Sequence, residues 1–460
     1  MRMLYSMNKV TIACIAGAIC APFAHAQLCD HPISGCEVEY LQPVDALMTD
    51  FVCERDIPGA ALAISVDGVV VYERSYGWSD EQRSISLEPD ALMRIASVSK
   101  PITAAAIREL IDDGLLSLDS HAFDLGQPGG GVLPIDPFPS LGDARLGEVT
   151  IDHLLQHRGG WDRDAVGDLT YREVIIADAM GIQSPPGRSN TLRYILGQPL
   201  QADPGAEYHY SNIGYLTLGL IVEHLSGQPL IEFVYERVLG PLGVEESEHL
   251  AGRTFAADQN PREPHYHSPS GATNVYEPKG DSVPWAYGGW DHEARVGQGG
   301  QITTTRTLLA FLNERYISGP FIGAPLPHDL NPGYRRNHTG SLSGTESLAR
   351  QRGDGISYAV IFNERSSTSP NHASSIRTAL DALFDSDGID WPDSPIETCQ
   401  SPYDLNGDGA LNFFDFSVLI SMFGDGCTQC DDCPADFNED CVINFFDVSI
   451  MLTAYLYKHG

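Results

Sequence analysis

Two hydrophobic periods run along this chain, and where one gives way to the other an element begins or ends. Residues 43–56, PVDALMTDFVCERD, put apolar side chains at helical spacing and predict an amphipathic helix. Residues 59–78, GAALAISVDGVVVYERSYGW, alternate instead, in two β-rich runs around Asp67-Gly68, which predicts a hairpin. The helical period returns in RIASVSKPITAAAIREL (94–110), with Ile102, Ala105, Ala106 and Leu110 on one stripe and Asp112-Asp113-Gly114 as the stop. A Gly/Pro-rich loop follows (125–143), then helical stretches from about 151 to 239 and long ordered loops over 252–298. Strand signals come back in ISYAVIFNE (356–364), and HASSIRTALDALF (372–384) predicts a last helix before an acidic linker, 386–400. Strands, a helical insertion, strands and a helix in that order make an α+β fold around an antiparallel sheet flanked by helices.

The segment from Ser401 onward has a different texture. DLNGDGALNFFDFSVLISMFG and DFNEDCVINFFDVSIMLTAYL align residue for residue, 32 positions apart, as an internal duplication. At the other end, residues 1–26 combine basic Arg2 and Lys9, an apolar run from Val10 to Phe23, and Ala24-His25-Ala26 before Gln27. That pattern predicts a secretory signal peptide cleaved after Ala26. The run is shorter than the roughly 20 residues of a membrane-spanning helix, and no later apolar stretch could span a bilayer. The expected organisation is a signal peptide (1–26), a large domain (27–385), a linker (386–400) and a duplicated module (401–460), with the protein secreted, periplasmic or at the cell surface.

Charge narrows the partners. The chain has 62 acidic against 28 basic residues, a net charge of −34, which opposes nucleic acid and anionic membranes, since both need a basic footprint. Ten cysteines fall to eight without Cys14 and Cys20 of the signal. Cys29, Cys36 and Cys53 lie near the mature N-terminus; Cys399, Cys427, Cys430, Cys433 and Cys441 lie near the other end. Exported cysteines usually pair, and an odd number on each side requires a bridge between the segments, for which Cys53–Cys399 is the candidate. Zinc on Cys427, Cys430 and Cys433 is the less favoured alternative.

The candidate chemistry begins at Ser97 and Lys100. Pro101 fits only a first helical turn, so both residues sit at the helix start, on one face. A second S-x-x-K, Ser6 to Lys9, falls in the signal and is coincidental. The chain has four lysines against 24 arginines, and a buried lysine can release its proton where arginine cannot. The helix dipole and desolvation both disfavour the ammonium. A neutral amine could then take the serine proton as the oxygen attacks a carbonyl. Further on, Tyr210-Ser211-Asn212 precedes a helix, and His338-Thr339-Gly340 precedes a turn.

Taken in order, these three motifs resemble the serine β-lactamase and penicillin-binding family, in its class C-like branch with esterases and D-amino-acid peptidases. VTIDHLLQHRGGW, PGAEYHYSNIGY, VLGPLGV and GQGGQITTTRTLLAFL agree with it, and the resemblance covers roughly Val44 to Leu383. It implies an antiparallel sheet plus an all-helical subdomain, and needs no catalytic cofactor. It also implies Ser97 as the acylated nucleophile, Lys100 as its proton acceptor and Tyr210 as the acid or base serving the leaving group and the deacylating water. Asn212 is implied to bond the substrate or Lys100. His338, Thr339 and Gly340 are implied to line the cleft, with the backbone N–H groups of Ser97 and Ser341 as an oxyanion hole worth about 3 kcal/mol per donor. Tyr210-Ser211-Asn212 stands where class A members carry S-D-N, which disfavours that class. The lactamase and carboxypeptidase members carry lysine where this chain has His338. That shifts the expectation from β-lactams toward esters or amides without an obligatory carboxylate, unless Arg335 or Arg336 supplies the charge.

In the duplicated module, Asp404, Asn406, Asp408, Asn412 and Asp415 occupy positions 1, 3, 5, 9 and 12 of a calcium loop, with the Ala410 carbonyl as a further ligand. Asp436, Asn438, Asp440, Asn444, Asp447 and the Val442 carbonyl repeat the set. Paired EF-hand-like loops with aspartate at position 12 look like a type I dockerin, which implies structural calcium and a cohesin-like or cell-surface partner. Cys441 in place of the loop glycine and Phe-Phe at both recognition positions depart from that pattern. A slowly acylated surface receptor and an adhesive protein acting through its tail are the rival readings; Ser97, Lys100 and Tyr210 together favour a hydrolase of small ester, amide or peptide substrates.

Overall fold

The computed structural model describes residues 30–327, 330–386, 389, 391, 405, 413–423, 435–437 and 442–459. The expected signal peptide and most of the linker lie outside the described residues. Six strands, β1 (Ile33–Ser34), β2 (Gly59–Val66), β3 (Val69–Gly77), β4 (Arg335–Leu342), β5 (Thr345–Arg352) and β6 (Ile356–Phe362), form one antiparallel sheet in the order β1-β3-β2-β6-β5-β4. The helices used below are α1 (Gln42–Glu54), α2 (Ser99–Asp112), α3 (Asn212–Ser226), α4 (Thr305–Glu314), α5 (His372–Phe384), α6 (Phe413–Ser421) and α7 (Phe445–His459). The predicted hairpin is β2–β3, and its turn has Asp67 and Gly68 both at positive φ (50° and 83°), as a two-residue hairpin turn requires.

The central strands are buried on both faces, and the two faces differ in side-chain size. Leu62 and Ile64 of β2 and Tyr358, Val360 and Phe362 of β6 pack against Met48, Phe51 and Val52 of α1 and Ile376 and Leu380 of α5. Ala61, Ala63, Ala349 and Ala359 face the other way, toward Leu308, Leu309 and Leu312 of α4 and the body of α2. Alanines there let a helix lie close to the sheet, which brings α2 and its N-terminal turn against β4 and β5. Between α2 and α4 comes the helical region, with α3 and shorter helices at Glu173–Met180 and Gly187–Leu196. Residues 252–298 hold only short strands and turns, as their Pro/Gly/aromatic composition implies.

Strand β5, TESLARQR, was not legible as a strand because neither of its faces is apolar. It is nonetheless buried along its whole length. On one face Arg350 and Arg352 pair with Asp381 of α5 at 2.5 and 3.3 Å. On the other, Thr345 and Ser347 donate to the carbonyls of Arg94 and Ile95 at 2.7 and 2.6 Å, and Gln351 reaches the Leu312 and Arg315 carbonyls. Polar side chains here do the fastening that apolar ones do elsewhere.

In the tail α6 and α7 flank a small core of Leu419, Ala435, Ile443 and Met451. Cys36 and Cys53 are both disulfide-bonded; Cys399, the candidate partner of Cys53, lies outside the described residues. No helix among the described residues is long and apolar enough to cross a membrane.

If alanine is needed where α4 approaches the sheet, Ala359→Leu should lower stability by about 1–3 kcal/mol through overpacking. Thermal or urea unfolding of the variant checks this, with Ala46→Leu, half-exposed on α1, as a control that should shift the midpoint little.

Candidate functional site

Ser97 lies in a 3-10 turn, Ala96–Val98, that runs directly into α2 at Ser99. The α-helix proper therefore begins two residues later than the nucleophile position expected at its start. Ala96 has φ of +46°, unusual for a residue with a side chain and a local source of strain. Its conformation is imposed from outside: the Ile95 amide donates to Gln301 O at 3.1 Å, and the Ile95 carbonyl accepts from Ser347 at 2.6 Å. Gly340 of β4 faces the same turn, where a Cβ would run into the Ile95 carbonyl, the Ser347 hydroxyl and the Ala96 methyl. Edge strand β4 and the Ser97 turn thus touch backbone to backbone.

Lys100 is fully buried, with its amine 3.1 Å from Ser97 Oγ and donating to the Gln298 carbonyl at 2.6 Å. No carboxylate lies within salt-bridge distance of it among the described residues. Burial therefore dominates and lowers its pKa to about 7; Asp168 opposes the shift and Arg163 adds to it. Tyr210 donates to Ser97 Oγ at 2.7 Å. Burial raises its pKa to about 12, against the pull of the Ser97 hydrogen bond and of Arg163. The two groups flanking the serine are thus poised oppositely at neutral pH: the amine is able to accept a proton, and the phenol holds one.

His157, which the sequence motif VTIDHLLQHRGGW contains without revealing a role, supports Tyr210. Its ring stacks on the Tyr210 ring at 4.6 Å between centroids and 28° between planes. Its Nδ1 accepts the Ser211 amide at 3.1 Å, and its backbone sits at φ +57°. Burial and the nearby Lys100 hold its pKa down at about 3, so it stays neutral and adds no charge to the site. Only tertiary contact identifies it.

The remaining expected residues divide. His338 lies in the cleft wall with Nδ1 3.0 Å from the Ile317 carbonyl; burial and Lys100 push its pKa down to about 4, so it is neutral at pH 7. Thr339 and Ser341 alternate onto the exposed face of β4, while Gly340 and Leu342 turn inward. Arg335 is bound to Asp354 at 2.9 Å, so it is no free cation for a substrate carboxylate, whereas exposed Arg336 has no carboxylate partner among the described residues. Asn212 does not reach Lys100: its amide donates to Asp168 at 2.6 Å, because Asn212, as the first residue of α3, is turned toward the 168–171 turn. Asp168 had no signal in the sequence, since its partner lies 44 residues away.

Of the expected calcium ligands, Asp404, Asn406, Asp408, Ala410, Asn412, Asn438 and Asp440 lie outside the described residues. Asp415, Asp436 and Asp447 are buried. Asp447 accepts the Phe437 and Asn444 amides, both at 2.8 Å, which folds the second loop onto its position-12 carboxylate. The Val442 carbonyl accepts from the Asn444 side chain at 2.8 Å. Among the described residues no cluster of three or more His, Cys, Asp or Glu side chains is arranged to hold a metal.

Comparisons with known proteins agree with this geometry. A family model described as Beta-lactamase matches residues 44–378. Esterase EstB of Burkholderia gladioli is 28% identical over 347 residues, covering 73% of this chain and 83% of that protein. Among solved structures, D-amino acid amidase from Ochrobactrum anthropi SV3 aligns with a TM-score of 0.55 at 19% identity, over 75% of this chain and 98% of that one. The octameric penicillin-binding protein homologue from Pyrococcus abyssi aligns with a TM-score of 0.52 at 21% identity, over 75% and 77%. The chain belongs to the beta-lactamase family and is a serine hydrolase.

Proposed function

We propose that the protein hydrolyses small esters or amides, D-amino-acid amides and peptides included, through an acyl-enzyme on Ser97. The observation that carries this reading is the pair of contacts on Ser97 Oγ: a buried amine at 3.1 Å and a phenol at 2.7 Å, with opposite proton affinities. Neutral Lys100 takes the Ser97 proton as Oγ attacks the carbonyl carbon. The oxyanion that forms is received by the backbone N–H groups of Ser97 and Ser341. Collapse expels the alcohol or amine, which takes a proton from Tyr210, and Lys100 re-supplies the phenol. Water, deprotonated through the same pair, then attacks the acyl carbon and releases the acid. Asn212 acts through Asp168, to which it is hydrogen-bonded.

EstB is by name an esterase and the amidase by title acts in the D-amino acid series; both suit a cleft whose His338 is neutral. Short esters should therefore exceed benzylpenicillin and cephalosporins in kcat/KM, the quantity in which discrimination resides. Efficient cephalosporin turnover would overturn this preference.

Ser97→Ala should abolish turnover of p-nitrophenyl acetate while leaving the thermal midpoint near that of the parent. Lys100→Arg should be nearly as damaging as Lys100→Ala, because arginine keeps the charge but cannot accept a proton. The parent's kcat/KM should rise with pH through about 7, as the Lys100 ammonium loses its proton. A flat profile from pH 6 to 8 would remove Lys100 as the base.

For the tail we propose structural calcium, supported by three buried aspartates and by the closure of the second loop on Asp447. Asp436, Asn444 and Asp447 would contribute oxygens, and the ion would offset the mutual repulsion of the carboxylates. Phe445 and Phe446, 71% and 66% exposed, form the face that a cohesin-like or cell-surface partner would meet. Export through residues 1–26 is part of the same proposal, motivated by their basic start, apolar run and small-residue end. Chelation of the full-length protein with EDTA should reduce its helical circular dichroism, and calcium should restore it better than magnesium. Esterase activity should persist throughout; a spectrum indifferent to chelation, oxidised and reduced, would reject calcium-coupled folding.

A further inference from the structure

His157 contacts three successive residues. Its carbonyl accepts the His209 amide at 2.9 Å, its Nδ1 accepts the Ser211 amide at 3.1 Å, and its ring stacks on the ring of Tyr210 between them. The residue that carries the phenol is thus held through the main chain on both sides and through the face of its own ring. The imidazole is braced in turn. It is buried, and it lies 5.2 Å from the ring of Tyr215, whose hydroxyl donates to the Leu155 carbonyl at 3.0 Å.

The backbone argues that a histidine stands here for its side chain. Residue 157 follows the short helix Ile151–Leu155 at φ +57°, a left-handed position that glycine or asparagine fills with least strain. Tyr210 needs such a brace. Its hydroxyl donates to Ser97 Oγ at 2.7 Å, and nothing else among the described residues hydrogen-bonds that oxygen. Rotation about either side-chain torsion would carry it off the serine, and a proton relay works only within hydrogen-bond reach. Because Nδ1 accepts an amide hydrogen, the ring proton sits on Nε2, so the imidazole braces the phenol as a neutral group.

We propose that His157 is the positioning residue that aims the Tyr210 hydroxyl, and that through it the enzyme reaches unactivated substrates, alkyl esters and amides whose leaving groups must be protonated to depart. The proposal rests on the hydrolase reading above and adds to it the kind of leaving group the site is built to expel. In that step the bond from the acyl carbon to the leaving oxygen or nitrogen breaks, and its electron pair stays on the leaving atom. The Tyr210 hydroxyl proton is transferred to that pair. The phenolate is re-protonated by the Lys100 ammonium, which holds the proton taken from Ser97. An activated ester asks less of this relay, because p-nitrophenolate departs as a stable anion.

The test is the ratio of kcat/KM for p-nitrophenyl acetate over trifluoroethyl acetate. It is measured in the parent, His157→Gly, His157→Asn, Tyr210→Phe and the double variant Tyr210→Phe/His157→Gly. Glycine and asparagine both suit the left-handed backbone, and a ratio taken on one preparation does not depend on how much of it is folded. Since kcat/KM ends at acylation, the acetyl-enzyme common to both substrates does not enter. The ratio should rise about tenfold or more in His157→Gly, within the range of roughly 10²–10⁴ that a positioned general acid contributes. It should rise less in His157→Asn, whose amide oxygen can still accept the Ser211 N–H. Tyr210→Phe should raise it too, and adding His157→Gly to Tyr210→Phe should move it no further. An unchanged ratio in His157→Gly, even with both rates lowered, would overturn the proposal, as would a further rise in the double variant. Labelling of the parent with a fluorophosphonate separates the two levels. A Ser97 that takes no label overturns the hydrolase reading and this proposal with it; a labelled enzyme with an unchanged ratio overturns the role of His157 alone.

Discussion

A buried amine with no carboxylate in ion-pair reach among the described residues is the constraint around which this site is arranged. A buried ammonium is costly, and Lys100 meets that cost by a lowered proton affinity rather than by pairing. The groups in contact with it among the described residues are uncharged. The Gln298 carbonyl takes one of its hydrogens, the rings of Tyr210 and Tyr215 lie 4.9 and 5.8 Å from it, and Thr103, one turn on, ties α2 to the Gly297 carbonyl. The segment 297–301 is therefore as much a part of the site as the serine, although none of its side chains touches Ser97.

Much of this was legible from the chain. The β2–β3 hairpin, α1, α2, α5 and the order of strands and helices follow from hydrophobic period and turn residues, because those elements bury one continuous apolar face or stripe. Strand β5 was not legible, since its burial is satisfied by Arg350 and Arg352 on one side and hydroxyls on the other. In the site, Ser97, Lys100 and Tyr210 stood out because a serine, a rare lysine and a tyrosine each head a helical segment. His157 and Asp168 did not, because what defines them is a ring stack and a hydrogen bond to residues 53 and 44 positions away, and no local pattern encodes either.

The polar face of β5 explains how a sheet can hold a strained turn. Thr345 and Ser347 each use a hydroxyl to fix one carbonyl, of Arg94 and of Ile95, just before the residue with positive φ. Gly340 on the neighbouring strand permits the approach by having no side chain. The strain at Ala96 is thus held by two adjacent strands, one donating hydrogen bonds and the other making room. A conformation so determined from both sides is fixed by the fold around it rather than by its own residues.

The same economy of charge accounts for His338. Its ring and the Lys100 amine repel each other when both are protonated, and each lowers the proton affinity of the site as a whole. A permanent cation at 338 would stabilise an anionic substrate on that wall but would also press Lys100 further toward the free amine. With histidine there, neutral at pH 7 and anchored through Nδ1 to the Ile317 carbonyl, Lys100 is left near a pKa of about 7 and able both to accept and to return a proton. Arg163, over the Tyr210 ring, sits at the surface, where solvent moderates its effect on Lys100. Burial depth therefore decides which of the two groups is perturbed: the deep Lys100 is the one whose proton affinity desolvation lowers.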